Sequence, residues 1–369
     1  MVTARHLCLG CALLGSAACA DQPVVAGDLI PAAKSITIYS AGGSVVSGVI
    51  DAGELGARRL RVPATVAAID VAQGDQSVKW FTVQAIPDTR KDVHDVTYKL
   101  VGLPALPPGE LKFNYALPDI TWALRLDADI VDSKSVNLQL LAAVNMNANE
   151  PYEKCDVTLV LNNAVSVEKL SGFTFQLGTF DLYPHRNITY DLGHKVTDYS
   201  FIREWNAQAG KDEVHVLLQV KNPFSVDLNQ TSSTVQAKQI IVEAGTISNQ
   251  SRPGEMVSLP AGIDDTISTF RSVKITEATD KRLLPFNHRV SYDITNRSDQ
   301  PKTLRLVTSR VLGDEHRSVY HFKEPPDATP DNTLVWILQL EPRSTRTLEY
   351  DFDADVKDVE GENGFEQGG

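Results

Sequence analysis

Cysteine is scarce in this chain and poorly placed for cross-linking. The 369 residues contain four cysteines, Cys8, Cys11, Cys19 and Cys155, and three of them fall within residues 1–20. A disulfide scaffold, which needs paired cysteines along the folded part, is excluded. Positive charge is also short. Lys+Arg is 35 against 47 Asp+Glu, so the formal net charge is 35 − 47 = −12. Such a chain gains nothing from counterion release, so nucleic acid is not an expected partner. No long apolar run follows residue 20, and no transmembrane span is expected after it. Helical periodicity is nearly missing, with residues 201–209 the one stretch that shows any.

Catalytic signatures are absent as well. The sequence has no G-x-S-x-G, no H-E-x-x-H, no G-x-x-x-x-G-K-[ST] and no G-x-G-x-x-G, and no C-x-x-C after residue 20. That removes the usual hydrolase elbow, the zincin helix and the phosphate cradles. Ser166 and Lys169 match S-x-x-K, but the pair follows a strand pattern instead of opening a helix and reads as a loop. No cofactor is implied.

What is present begins with an export segment. Arg5 and His6 precede an apolar run over residues 7–15 (LCLGCALLG), and Ala18-Cys19-Ala20 fits an A-x-A cleavage site. Residues 1–20 are therefore expected to be a signal peptide, with the mature chain starting at Asp21 in the periplasm. The alternative is a degenerate lipobox ending at Cys19, which would leave the protein lipid-anchored there. Either way Cys155 reads as a small buried residue, because no Cys-His spacing supports an activated thiol.

Strand signals fill the rest. Leu348, Tyr350 and Phe352 alternate with Glu349, Asp351 and Asp353, which gives one apolar and one acidic face. Val290, Tyr292 and Ile294 repeat the pattern, as do Leu124, Leu126 and Ala128, then Val136, Leu138 and Leu140. Turn signals such as residues 41–44 (AGGS), 106–109 (LPPG) and 252–254 (RPG) separate the runs. Many strands with no intervening long helices predict an all-β chain of two or three antiparallel β-sandwich domains. The expected organisation is an N-terminal β-sandwich over 21–110, a middle β domain over 111–247, a C-terminal immunoglobulin-like β-sandwich over 248–356, and a disordered acidic tail over 357–369.

Three stretches carry a family resemblance. The first is Ser35-Ile36-Thr37-Ile38-Tyr39 followed by residues 64–71 (ATVAAIDV). The second is residues 113–122 (FNYALPDITW), then 140–149 (LLAAVNMNAN), then a strand led by Tyr152. The third is residues 292–296 (YDITN), 336–342 (WILQLEP) and 347–350 (TLEY). Their order resembles the bacterial envelope proteins grouped as domain of unknown function 4139, which include the mucoidy-inhibitor A-like proteins. The chain looks like a short form, without the long coiled coil of those members. The resemblance implies β-rich domains in the cell envelope and an unassigned activity. It carries no catalytic residues over.

Few side chains suggest a site. Trp205, flanked by Arg203, Glu204 and Asn206, is the best candidate for an exposed ring that stacks on a sugar. Trp122 and Trp336 sit in strand patterns and read as core. Asp127, Asp129 and Asp132 form a D-x-D-x-x-D cluster of oxygen ligands that could hold calcium, although no EF-hand register accompanies it. The acids at 349, 351, 353 and 355 read as an edge or exposed strand face. His185 and His194, and likewise His316 and His321, would face opposite sides of a strand, so no zinc set is legible. The expected function is a non-enzymatic binding or structural module with an envelope protein or a glycan as partner. The alternative is a hydrolase or carbohydrate-active enzyme whose residues converge only in space.

Overall fold

The computed structural model describes residues 28–29, 31–51, 58–79, 81–87, 97–104, 106–161, 173–208, 211–238, 240–247, 251–276, 286–310 and 318–354. The export segment with Cys19, the Ser166–Lys169 pair, Trp80, His94, His316 and the tail over 357–369 lie outside the described residues.

The chain is nearly all β. Its strands begin with β1 (Asp28–Leu29), β2 (Ala32–Tyr39), β3 (Ser44–Asp51), β4 (Arg58–Pro63), β5 (Ala68–Gln73), β6 (Gln76–Ser77), β7 (Phe81–Pro87) and β8 (Thr97–Leu103). They continue with β9 (Glu110–Leu117), β10 (Ile120–Ile130), β11 (Ser135–Met146), β12 (Tyr152–Leu161), β13 (Phe173–Leu182) and β14 (Arg186–Asn206). Then come β15 (His215–Lys221), β16 (Ser232–Ala237), β17 (Ile240–Thr246), β18 (Met256–Ile263) and β19 (Ile267–Thr276). The last are β20 (Phe286–Asn296), β21 (Lys302–Ser309), β22 (Ser318–Phe322), β23 (Thr333–Leu340) and β24 (Ser344–Ala354). Residues 201–206, where a weak helical period was read, lie in β14. No helix among the described residues is long and apolar enough to cross a membrane.

Two compact units form, and each uses two separated stretches of chain. Unit 1 comprises residues 1–123 and 143–190, and unit 2 comprises 124–142 and 191–369. The boundary expected at 110 therefore does not divide the chain. The reason is register: β9 pairs along its whole length with β3, from Ser44 opposite Leu117 to Asp51 opposite Glu110. The boundary expected at 247 fails similarly, because β18 pairs with β15.

In unit 1, one sheet has the order β13-β12-β2-β3-β9-β5-β6 and a second the order β1-β4-β8-β7. Alternation decides which face is buried. On β9, Leu111, Phe113, Tyr115 and Leu117 point inward while Glu110, Lys112 and Asn114 stay exposed. Ile36, Ile38, Val46, Val71, Val157 and Leu159 join them, each at most 1% exposed. At about 2 kcal/mol for each fully buried aliphatic side chain, this face is what holds the sheet in place. Most pairs are antiparallel, but β2–β12 and β1–β4 run parallel.

In unit 2, a long sheet has the order β17-β16-β10-β11-β14-β15-β18, and β21 joins it through β14 and carries β23. The four-stranded sheet β19-β20-β24-β22 shares a core with β21 and β23. That sandwich core is aromatic. Trp336 stacks on Tyr350 at 5.8 Å and Tyr320 on Phe352 at 5.3 Å, with Tyr292 meeting Trp205 edge-on at 5.6 Å.

Candidate functional site

The residues singled out in the sequence do not assemble into a site. Trp205 is 1% exposed, and its indole N–H donates to the Lys211 carbonyl at 3.3 Å. The expected exposed ring is a core ring instead. Glu204 and Asn206 turn to the other face of β14, as period two requires. Arg203 shares the Trp205 face but is held by Asp264, its Nε 2.5 Å from the carboxylate. Trp122 and Trp336 are core residues at 3% and 0% exposure.

The aspartate cluster is dispersed too. Arg125 takes Asp127 with two bonds of 2.7 Å. Asp132 folds into its own turn, accepting the backbone N–H groups of Lys134 and Ser135 at 2.8 Å and the Ser135 hydroxyl at 2.7 Å. The Ser135 hydroxyl first, then those N–H groups, hold its carboxyl below the usual range. Asp129 stays on the strand, about 7 Å along from Asp127. No group of three or more His, Cys, Asp or Glu that could hold a metal ion occurs among the described residues. The calcium reading is therefore corrected. The acidic row of β24 lies on an interior strand between β20 and β22 and is a paired face, not an edge. Glu349 meets Lys323 at 2.5 Å, Asp351 meets Arg289 at 2.8 Å, and Asp353 meets His321 at 3.1 Å.

A different set of residues comes together in unit 1. On β12, Tyr152 pairs with Leu182 and Cys155 with Phe180, so three steps on one strand match two on the other. Lys154 sits in this bulge at φ 50°, and its N–H donates to the Asp181 carboxylate at 2.7 Å. Residues three apart on a regular strand face opposite sides. The bulge re-phases them, so Tyr152 and Cys155 are both buried, at 4% and 0% exposure. Next door, β2 slips register against β3 between Ala33 and Ser35. Parallel pairing of β2 with β12 starts only beyond both breaks, at Ser35 opposite Asp156. Before that point a cleft of about 520 Å³ opens, walled by residues 31–33 and 150–154. Tyr115 of β9 and Arg61 of β4 complete its lining.

At the base of the cleft the Tyr115 and Tyr152 hydroxyls share a hydrogen bond at 3.5 Å, and the Tyr115 ring stacks on Phe113 at 5.6 Å. Two facing hydroxyls use one proton between them. Burial pushes the Tyr115 phenol upward, and its bond to Tyr152 offsets only part of that. Burial pushes Tyr152 upward as well, and the charge of Glu150 adds to both. Burial, reinforced by Asp156 and Asp181, pushes the Cys155 thiol up to about 11. That thiol donates to the Ala33 carbonyl at 3.4 Å. All three groups keep their protons at neutral pH and serve as hydrogen-bond groups, while Arg61, Lys154, Glu150 and Glu153 bring both signs of charge. Sequence reasoning placed Tyr115 and Tyr152 in one stretch of the family resemblance, at strands 37 residues apart. Nothing in the spacing said that they meet, since the bulge is invisible to a period-two reading.

No protein-family model matches the sequence, and no curated protein matches it.

Proposed function

We propose that the chain is an exported envelope protein of the kind its sequence resembles, the domain of unknown function 4139 group, and that it works as a binding or structural β-sandwich module. The observation that carries the binding reading is the unit 1 cleft of about 520 Å³, lined by Tyr115, Tyr152 and charged side chains of both signs. A nucleophile or general base needs a pKa near the working pH. The two raised phenols of the cleft, and the buried Cys155 thiol behind them, held near 11, are displaced away from it. They suit recognition, where a fixed donor is more useful than a titrating one. Export rests on the residue 1–20 pattern, with soluble periplasmic release after Ala20 or lipid attachment at Cys19 as its two forms.

The test is in-cell crosslinking of the tagged protein, with envelope fractionation and the mature mass read in the same run. The expected result is capture of an envelope protein or glycan and a mature chain beginning at Asp21 or acylated at Cys19. A full-length chain in the cytosol overturns export. Turnover of ester or glycoside substrates by the purified protein overturns the non-enzymatic reading.

A further inference from the structure

We propose that the outer edge of β13 takes an extended segment of a partner protein as an added antiparallel strand, one that alternates apolar and polar residues and carries a Lys or Arg at its amino end. The inference rests on the binding reading above and names the partner class, at a surface of unit 1 other than the cleft. Three features of the strand argue for it together.

The first is the unpaired backbone. β13 ends the seven-stranded sheet and is bonded to β12 on one side. No backbone bond runs from its other side to a described residue. An antiparallel strand turns alternate N–H and C=O groups outward, so about half of this ten-residue strand offers them to solvent. Edges are usually blunted by proline, lysine or shortness. Residues 173–180 (FTFQLGTF) hold no proline and no charge. The second is an apolar row that stops half-covered. Phe175 pairs with Leu159 and Phe180 with Cys155, which places both rings on the inner face of the sheet with Phe173. The slip at Leu177 keeps the two halves of the row on that face. Leu159 and Cys155 are 0% exposed, whereas Phe173 and Phe180 are 39% and 36% exposed. An apolar side chain on every second residue of an added strand would cover the row. The third is charge. Asp156 pairs with Thr179 on the outer face, and Asp181 follows Thr179 there. Asp156 accepts from the Thr179 hydroxyl at 2.5 Å, and Asp181 from the Lys154 backbone N–H at 2.7 Å and the Tyr183 hydroxyl at 3.4 Å. These donors are neutral, and neither carboxylate forms an ion pair with a described residue. Both stand at the end of β13 that meets the amino end of an antiparallel arrival, so a cation belongs there. β13 has no Lys or Arg of its own, so a second copy of the strand does not supply it.

The probe is the peptide acetyl-Lys-Val-Thr-Val-Thr-Val-Thr-amide, titrated into the full mature chain while amide exchange is followed by NMR. Slowed exchange of the outward amides of β13 is expected, saturating at roughly millimolar peptide. The same peptide with Glu in place of Lys should bind about fivefold more weakly. With its two central residues replaced by proline it should not bind, because a ladder donor is lost. Asp181→Asn keeps an acceptor for the Lys154 N–H and should shrink the preference for Lys over Glu to about twofold. Equal binding of the Lys and Glu peptides overturns the proposal, and so does binding that leaves β13 exchange unchanged. Outward amides already slow in the free chain would mean that its own residues cover the edge. Protection that rises with protein concentration in the absence of peptide would mean a second copy. Either overturns the proposal. Protection of β13 by the probe supports it whether or not crosslinking captures an envelope partner. A partner captured in cells without probe binding at β13 overturns this assignment and leaves the wider reading standing.

Discussion

The cleft end of unit 1 and the C-terminal sandwich of unit 2 are built from the same strand packing, yet one breaks its register and the other keeps it. In the sandwich, β20 and β24 pair without a slip from Phe286 opposite Ala354 to Asn296 opposite Ser344. Every neighbour across the ladder is then preset. The solvent face holds Glu349–Lys323, Asp351–Arg289 and Asp353–Asn287, and the inner face is aromatic. In unit 1 two register slips lie side by side on β2 and β12. Where the ladder breaks, side chains are re-aimed and a cleft opens. The difference teaches what register controls: an unbroken ladder fixes which side chains share a face, and a bulge re-aims them.

The largest expected effect tests the satisfied side. Asp264 accepts from Lys302 Nζ at 2.6 and 2.8 Å and from Arg203 Nε at 2.5 Å, with the Asp264 and Lys302 side chains only 8% and 10% exposed. Asp264→Asn leaves two cations without their partner and should cost about 3–5 kcal/mol in urea unfolding. A loss under about 1 kcal/mol would mean that water already screens the triad. The pH dependence has a definite sign. Burial alone would raise the Asp264 carboxyl, but bonds from Lys302, Thr266 and Arg203 outweigh it and hold the group well below the usual range. Its stabilisation is complete above the unfolded value of about 4 and is lost as pH falls from there toward the folded value. The wild type should therefore lose stability more steeply below about pH 5 than Asp264→Asn does.

Next comes the broken register. A Cβ on Gly48 of β3 would lie 2.2 Å from the Ala32 carbonyl oxygen and 2.5 Å from Phe113 Cζ. Gly48→Ala must push the β2 slip or the Phe113 ring, which stacks on Tyr115. We expect a loss of about 1–3 kcal/mol, together with a changed near-ultraviolet circular dichroism from the displaced Phe113–Tyr115 stack. Lost stability with an unchanged aromatic signal would separate the slip from the cleft and break the comparison.

How much of this was legible in the sequence follows the same division. Leu348, Tyr350 and Phe352 were readable as an inward face, and they are 2%, 1% and 0% exposed. Regular alternation is local, and it survives wherever the ladder is regular. Trp205 was misread because the group that neutralises Arg203 is Asp264, 61 residues away. The pairing of Tyr152 with Tyr115 was illegible for a different reason. A bulge inverts the phase of all that precedes it on the strand, and composition gives no sign of one at Glu153 and Lys154. The two-unit division was hidden because strands β10, β11 and β14 each carry residues of both units.

A smaller effect concerns Cys155. The thiol is fully buried and held near 11, so its thiolate fraction at pH 8 is lower than that of an ordinary cysteine by roughly two orders of magnitude. Labelling with a disulfide reagent should be slower than for a free thiol by at least that ratio in the native protein, and ordinary in urea. Fast native labelling would show that β2 and β12 part further than the cleft already does, extending the break to the residue that should mark its end.

The smallest expected effect sharpens the comparison from the exposed side. Lys323 and Glu349 form an ion pair at 2.5 Å, as short as the Arg203–Asp264 contact, but their side chains are 68% and 34% exposed. Lys323 lowers the Glu349 carboxyl through its hydrogen bond and its charge. Solvent screens such a pair, and holding two long side chains in one geometry costs entropy that offsets most of the attraction. Lys323→Gln should therefore leave the urea midpoint where it is, within the scatter of repeat curves, at low and at high salt alike. Distance is matched between this pair and the buried triad, so burial is what the two substitutions compare. A clear destabilisation by Lys323→Gln that vanished in high salt would show that the acidic row of β24 acts as one coupled field, in which each cation answers for several carboxylates at once.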